Sequence, residues 1–300
     1  MSDNMELQKE MRREAALSKG FKFLEQECQD GTFSCDISNS PDMRLNSHTA
    51  PRDTCSPILI LQTILREKPD SETAKRVISY CKDNLENGHL GFFEDGSYPE
   101  DADTASWYLS TLYELGEIDE EMVNKSLDDI LNNTKDGVIQ VYIGERKNRI
   151  DHVTATNALY LAYLMGREGE VASTEDYVFN KLKSGEYLSG SRYYQSPDSF
   201  LYYLSRLVVK FPTFREKFGN LLEQELKKRI GITKTPLDLA MRVTVARNLG
   251  LNDNIEKDEL LSLQEESGSW PNDAVYHYGT KDIYFGSRAL TTAYALEAIK

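Results

Sequence analysis

No stretch of the sequence is apolar for the roughly 18–20 residues that a membrane-spanning helix needs. The N-terminal segment MSDNMELQKEMRREAALSKG is charged and polar, without the apolar centre of a signal peptide. These two absences lead to the expectation of a cytoplasmic protein. Basic charge is also in deficit: 35 Lys and Arg stand against 49 Asp and Glu, a formal net charge of −14. A nucleic-acid groove needs a concentrated basic surface to displace counterions, so no nucleic-acid partner is expected. The acid excess names no cationic partner, because acidic surfaces often serve solubility alone. Cysteine is confined to Cys28, Cys35, Cys55 and Cys81, with no CxxC spacing, and in a chain without an export signal these read as buried free thiols.

What is present is helical periodicity. With 28% charged residues and an ordinary apolar share, the 300-residue chain folds rather than staying disordered. Ala74, Val77, Ile78, Cys81 and Leu85 recur at helical spacing, as do Met122, Val123, Leu127, Ile130 and Leu131, and Phe214, Phe218, Leu221, Leu222 and Leu226. Each set describes a helix with one wet face and one buried face. Between them lie segments apolar on most faces: 57–65, 106–116, 157–166, 199–209, 238–250 and 290–299. A helix apolar nearly all round is buried on most sides.

Wet and buried helices alternate six times. The buried ones begin near residues 54, 101, 152, 196, 236 and 287, at intervals of 47, 51, 44, 40 and 51 residues. Such self-similarity means stacked copies of one unit, here a helical hairpin. An open solenoid would end in a polar capping helix, whereas LTTAYALEAI is as apolar as its counterparts. The expected fold is therefore all-α, an (α/α)6 barrel or toroid spanning 1–300 as a single domain, with residues 1–11 a loosely ordered N-terminal extension. The loops before the buried helices repeat a glycine-then-aromatic pattern, and two are long; long ordered loops on one barrel face are where function collects.

Two motifs carry a resemblance. Gln264-x3-Gly268-x-Trp270 resembles the QW repeat of squalene-hopene cyclases, oxidosqualene cyclases and related terpenoid cyclases, in which the Gln ends an outer helix and ties it to a Trp in the following loop. Degenerate copies stand at Glu27-x3-Gly31-x-Phe33 and near Gly88 and Gly91. Pro99-Glu100-Asp101-Ala102-Asp103-Thr104-Ala105, at the start of a buried helix, is similar to the DxDD motif of class II terpene cyclases, with Thr104 in place of the last Asp. An alignment slid to match Thr104-Ala105 puts Ala102 in the acid position instead. The resemblance to the terpenoid cyclase/protein prenyltransferase α/α toroid superfamily implies an enzyme, a protonation-initiated terpenoid cyclase of cytoplasmic isomerase or lyase type. Asp103 is then the acid, Asp101 its partner, and no cofactor is required.

The residues can be read in that chemistry or more plainly. A carboxylic acid that protonates an alkene must be held protonated, which burial and neighbouring acids arrange. Aromatic faces stabilise the cation that forms, and Trp107, Tyr108, Tyr160, Tyr163, Tyr202, Tyr203 and Tyr294 all fall on buried helices. Yet Asp at a helix start is also the ordinary N-cap. For Asp103 both readings stand; for Asp53, Asp151, Asp198 and Asp238 capping is favoured. A diphosphate on the isoprenoid substrate would call for Arg146, Lys147 and Arg149, with Arg192, Lys281 and Arg288 as additional candidates, and for magnesium. Absence of DDxxD disfavours ionisation-driven cyclisation.

The alternative on the same fold is a zinc-dependent prenyltransferase β-subunit-like protein with a partner subunit. Asp53-x-Cys55 opens a buried helix as two zinc ligands do in that family, with His277 the better-placed third ligand and His152 further round the ring. Carbohydrate-active (α/α)6 enzymes, which use paired carboxylates, and a non-catalytic lipid-binding module complete the field. Peripheral membrane contact stays open for a protein that handles a hydrophobic isoprenoid.

Overall fold

The computed structural model describes residues 2–86, 90–145, 147–232, 235–279 and 281–300. In chain order its helices are α1 (Ser2–Glu27), α2 (Cys55–Glu67), α3 (Glu72–Glu86), α4 (Ala102–Glu114), α5 (Glu120–Asn132), α6 (His152–Leu164), α7 (Ala172–Ser184), α8 (Pro197–Lys210), α9 (Pro212–Arg229), α10 (Pro236–Asn248), α11 (Asn254–Ser262) and α12 (Arg288–Ile299). Even-numbered helices form an inner ring in which each packs on the next, and α12 returns to pack on α2. The ring is closed, as expected for a toroid and not for a solenoid. The segment expected to be loose is helical from Ser2 onward.

The two kinds of helix follow from their patterns. Outer helix α3 buries Ala74, Val77 and Cys81, and α5 buries Val123, Leu127 and Ile130, single stripes of one helical face. Inner helix α4 buries every residue from Ala102 to Leu112, and α6 every residue from His152 to Ala162, because neighbours close both flanks. Cys28, Cys35, Cys55 and Cys81 are buried free thiols. No described helix is long and apolar enough to cross a membrane.

Inner-helix starts are capped by side chains, though not always by the expected ones. Asp101 and Asp151 accept from backbone N–H groups of their own first turns, and Asp53 accepts from the Ser56 N–H at 2.5 Å. Asp198 and Asp238 do not cap. Pro197 and Pro236 occupy the first helical positions, so Ser196 and Thr235 become the caps and each Asp moves inside the turn. Asp198 instead binds the guanidinium groups of Arg229 at 2.9 Å and Arg242 at 2.7 Å, and Arg242 also binds Glu256 at 2.8 Å. This buried network fastens α8, α9, α10 and α11 to one another.

The QW-like residues close the ring. The Gln264 amide donates to the carbonyls of Gly268 and of Ala16 on α1, both at 2.9 Å, and the Trp270 indole N–H donates to the Leu260 carbonyl on α11 at 2.7 Å. Gly268 has φ +91° and its missing Cβ would sit 2.4 Å from the Lys19 carbonyl of α1. Gly31 repeats the arrangement against the Arg76 carbonyl of α3, with φ +83° and again 2.4 Å. Only glycine fits such a turn pressed onto the next outer helix. Gly88 lies outside the described residues.

Strands, which the sequence reading did not anticipate, organise the loops. They are β1 (Asp36–Ser38), β2 (His48–Thr49), β3 (Thr134–Lys135), β4 (Val138–Ile139), β5 (Ala274–His277) and β6 (Tyr284–Gly286). A four-stranded sheet of order β2-β1-β6-β5 joins the first loop to the last, and β3 pairs with β4. Runs this short show no usable alternation, so they were invisible against the helical background.

Candidate active site

At the end of the barrel where the inner helices begin, a cavity holds about 550 Å3 of empty space, counting its open mouth. Cys55, Asp101, Asp103, Thr104 and Thr154 reach it from the first turns of α2, α4 and α6 or from just before them. Its remaining wall is almost wholly aromatic and comes from loops: Phe92, Tyr98, Tyr142, Tyr193, Tyr194, Tyr276, Tyr278 and Phe285.

Hydrogen bonds to backbone carbonyls of other repeats hold these loops. Thr54 N–H and hydroxyl donate to the carbonyls of Phe92 at 2.9 Å and Gly91 at 2.7 Å. Ala102 N–H donates to the Val141 carbonyl at 2.8 Å, and Ile143 N–H to that of Glu100 at 2.9 Å. His277 N–H donates to the Tyr193 carbonyl at 2.8 Å. The rings then meet edge to face, Phe92 with Tyr276 at 4.8 Å and Phe93 with Phe285 at 5.4 Å.

Asp101 and Asp103 do different things. One carboxylate oxygen of Asp101 accepts from the Thr104 N–H at 2.7 Å and the other from the Thr104 hydroxyl at 3.0 Å, so Asp101 is the cap. Asp103 caps nothing. Its Oδ1 accepts from the Asn157 amide on α6 at 2.7 Å, and its Oδ2 accepts from the Tyr194 hydroxyl. Burial pushes the Asp103 carboxyl up to about 6, against the opposing pull of Tyr194 and Asn157. Burial, and then the charge of Asp103, pushes Asp101 up to about 7. Asp103 thus lines the cavity without capping its helix, while Ala102, the acid position of the alternative alignment, carries no carboxyl.

A polar recess adjoins the mouth. Arg149, Arg192 and Lys281 line it with Tyr142, Tyr193, Tyr278 and Gly279, and those three tyrosines also line the cavity. Arg149 Nε is buried without a hydrogen-bond partner. Among the described residues none of the three cations has an acid within ion-pair distance, which is unusual in a chain carrying an excess of acid.

A family model described as "Sesquiterpene cyclase astC-like C-terminal domain" matches residues 19–165. Drimenol cyclase drtB of Aspergillus calidoustus is 30% identical over 206 residues, which make up 68% of this chain and 38% of that protein. Among solved structures, type II terpene cyclase MstE from Scytonema has a TM-score of 0.70 at 12% identity, covering 96% of this chain and 97% of its own. The chain is thus similar in sequence to a sesquiterpene cyclase domain and to a drimenol cyclase, and shares its fold with a type II terpene cyclase. It spans about two fifths of the length of the curated relative. A protein from Actinoplanes shares the fold at TM-score 0.70 and 14% identity, covering 96% of this chain and 98% of its own. Other MstE structures hold geranylgeranyl dihydroxybenzoate as substrate, with TM-score 0.68 and 13% identity, and merosterolic acid A as product, with 0.66 and 13%.

In this cyclase-like chain the expected aromatic residues are not the ones around the cavity. Trp107, Tyr202, Tyr203 and Tyr294 are buried deeper in the barrel, packed on one another, and Tyr203 and Tyr294 join hydroxyls at 2.9 Å. Tyr108 points away from the axis, its hydroxyl donating to the Thr54 carbonyl at 2.8 Å. Tyr160 and Tyr163 lie in the second half of α6, against Phe211. The faces of Trp107 and Tyr160 already carry a cation, the guanidinium of Arg206, at 3.6 and 4.5 Å. The inner ring is simply too tight to leave its axis empty at that depth.

The basic and zinc candidates also separate. Arg146 lies outside the described residues, Lys147 is exposed, and Arg288 is paired with Glu265. Cys55 accepts a hydrogen bond from the Tyr276 hydroxyl at 3.2 Å, His277 stacks on Tyr284, and Asp53 is buried beside Cys35. His152 packs edge-on against Phe200. Among the described residues no three His, Cys, Asp or Glu side chains converge as metal ligands. Sequence reasoning missed Asn157 and Tyr194, which signalled themselves only as a polar residue in an apolar helix and one tyrosine among seventeen.

Proposed function

We propose that this chain initiates cyclisation of an isoprenoid by protonating it from Asp103, in the manner of class II terpene cyclases. The observation that carries this is the buried Asp103 carboxyl at the head of an aromatic cavity, held by Asn157 and Tyr194 and pushed up to about 6. Transfer of its proton to one carbon of a terminal alkene forms a C–H bond and leaves a tertiary cation on the other carbon. The next alkene then supplies its electron pair to close a ring, and a proton is finally lost to a base. Phe92, Tyr194, Tyr276 and Phe285 line the cavity with aromatic rings whose faces stabilise a cation. Asp101, capped onto Thr104, is the neighbouring acid whose proton is available to restore Asp103.

The substrate's head would be an anion such as a diphosphate, met by Arg149, Arg192 and Lys281 in the recess at the mouth. The protonation step itself calls for no cofactor, magnesium entering only with a diphosphate head, and a cytoplasmic location agrees with this chemistry. Support for an isoprenoid comes from the relatives: one is named a drimenol cyclase, and one MstE complex holds geranylgeranyl dihydroxybenzoate as substrate.

The test is incubation with farnesyl diphosphate and related polyprenyl substrates in deuterated water, followed by mass spectrometry. The expected product is a cyclised isoprenoid carrying one deuterium at the protonated carbon, lost in Asp103→Asn. Absence of any cyclised product, or undiminished cyclisation by Asp103→Asn, overturns the reading.

A further inference from the structure

The cavity stops short, and it stops at a particular ring. Asp103 is the second residue of α4 and Cys55 the first of α2, whereas Tyr203 and Tyr294 are the seventh residues of α8 and α12. At about 1.5 Å per residue, the latter lie roughly 7–9 Å further along the barrel axis. Cys55, Tyr194 and Tyr276 form the inner end of the cavity, and Tyr203 is packed behind them, its ring 5.7 Å from that of Tyr194. Behind Tyr203 come Trp107 at 5.6 Å and Tyr202 at 5.2 Å, and then Arg206 on the Trp107 face. At the far end Glu297 gathers Tyr202 at 2.7 Å, Arg66 and Arg247. The axis below the cavity is therefore a continuous stack of rings closed by an ion-pair cluster.

We propose that Tyr203 sets the maximum length of the isoprenoid chain this site accepts. The proposal rests on the reading of the cavity as an isoprenoid site. A terminal alkene has to lie against Asp103, at the inner half of the cavity, with the remainder of the chain running out to the basic recess. Length is then limited in one direction by the recess and in the other by the ring of Tyr203, the one large side chain in contact with the wall residue Tyr194, with Tyr294 through its hydroxyl, and with the plug below. Removing that ring frees the volume it fills between Tyr194 and Trp107, into which a longer chain would extend. Removing only its hydroxyl leaves the wall in place.

The experiment uses the free alcohols geraniol, farnesol and geranylgeraniol as probes, so that the outcome does not depend on the basic recess. Their dissociation constants are measured on the wild-type protein, Tyr203→Phe and Tyr203→Leu, with circular dichroism confirming the fold. Wild type and Tyr203→Phe should bind one length best and reject the next longer alcohol by about tenfold or more, the low end of what one surplus methylene costs in an apolar pocket. Tyr203→Leu should lose or reverse that discrimination. Should Tyr203→Leu not fold, Tyr276→Leu, on the loop side of the same wall, is expected to relax the limit in the same direction. Retained length preference in a folded Tyr203→Leu or Tyr276→Leu protein overturns the proposal, as does a wild-type protein that accepts all three lengths equally. Binding of none of the alcohols by wild type would instead overturn the isoprenoid reading itself.

Discussion

The hydroxyl of Tyr194 donates to Oδ2 of Asp103, 91 residues earlier in the chain, while the Asn157 amide holds Oδ1 of the same carboxylate. The pair fixes the acid's orientation and lowers its affinity for a proton, against burial, which raises it. The two donors arrive from two different repeats, Asn157 from α6 and Tyr194 from the loop before α8.

Asp103→Asn should reduce turnover by about 10²–10⁴-fold, the usual share of a general acid, while the fold survives. Its stability should depend on pH in a definite direction. Because the folded-state value is about 6 against an ordinary 3.8, ionising Asp103 penalises the folded protein. The penalty is absent below the ordinary value, grows between the two, and is complete above about 6. Relative to wild type, the variant should therefore gain thermal stability as the pH is raised from 4 to 7.5, by about 1–3 kcal/mol at the upper end. Thermal denaturation at the two pH values measures it; no change in the difference would sink the assignment of a buried, destabilised carboxylate.

Tyr194→Phe removes one hydrogen bond that favours the ionised form of Asp103. The acid should therefore keep its proton to higher pH and give it up less readily. We expect the falling limb of kcat/KM against pH, set in wild type near 6, to move upward while the maximum falls about tenfold. A simple loss of activity with an unmoved profile would mean that Tyr194 serves packing alone.

Asp101 can be separated into cap and acid by two substitutions. Asn caps a helix about as well as Asp, so Asp101→Asn should keep its stability, whereas Asp101→Ala should lose about 1 kcal/mol. If Asp101 restores the proton of Asp103, both variants should slow multiple turnover more than the first turnover in a rapid-quench experiment. Equal effects on both phases would reduce Asp101 to its cap.

The joint substitution Arg149→Ala and Lys281→Ala should raise KM for a diphosphate substrate by tenfold or more and leave kcat nearly unchanged, as expected when binding is lost without loss of transition-state contacts. An unchanged KM would remove the recess from the substrate site.

Gln264→Ala should cost about 1–3 kcal/mol, because the carbonyls of Ala16 and Gly268 each lose their donor in a partly buried seam. Urea unfolding measures the loss directly. A change within 0.5 kcal/mol, about the scale of an ordinary surface substitution, would show that the Gln264 bonds add nothing to the seam between the last and first repeats.

The sequence by itself determined the repeat. Apolar spacing distinguishes outer from inner helices, and six buried segments at regular intervals leave a closed ring as the consistent arrangement, with each inner helix starting within a residue of its expected position. It also singled out Asp101 and Asp103, since two carboxylates two residues apart are a local feature of one helix start. What it could not assign was which of them caps, because that depends on where Asn157 and Tyr194 arrive. Nor could it tell the cavity wall from the barrel plug. Trp107, Tyr203 and Tyr294 and the loop residues Phe92, Tyr194 and Tyr276 are equally aromatic in sequence. Their difference is depth along the axis, decided by how tightly six inner helices pack and by backbone hydrogen bonds between loops tens of residues apart. Periodicity reports which face of a helix is buried; only the assembled ring decides whether that face meets an open cavity, another ring, or the guanidinium of Arg206.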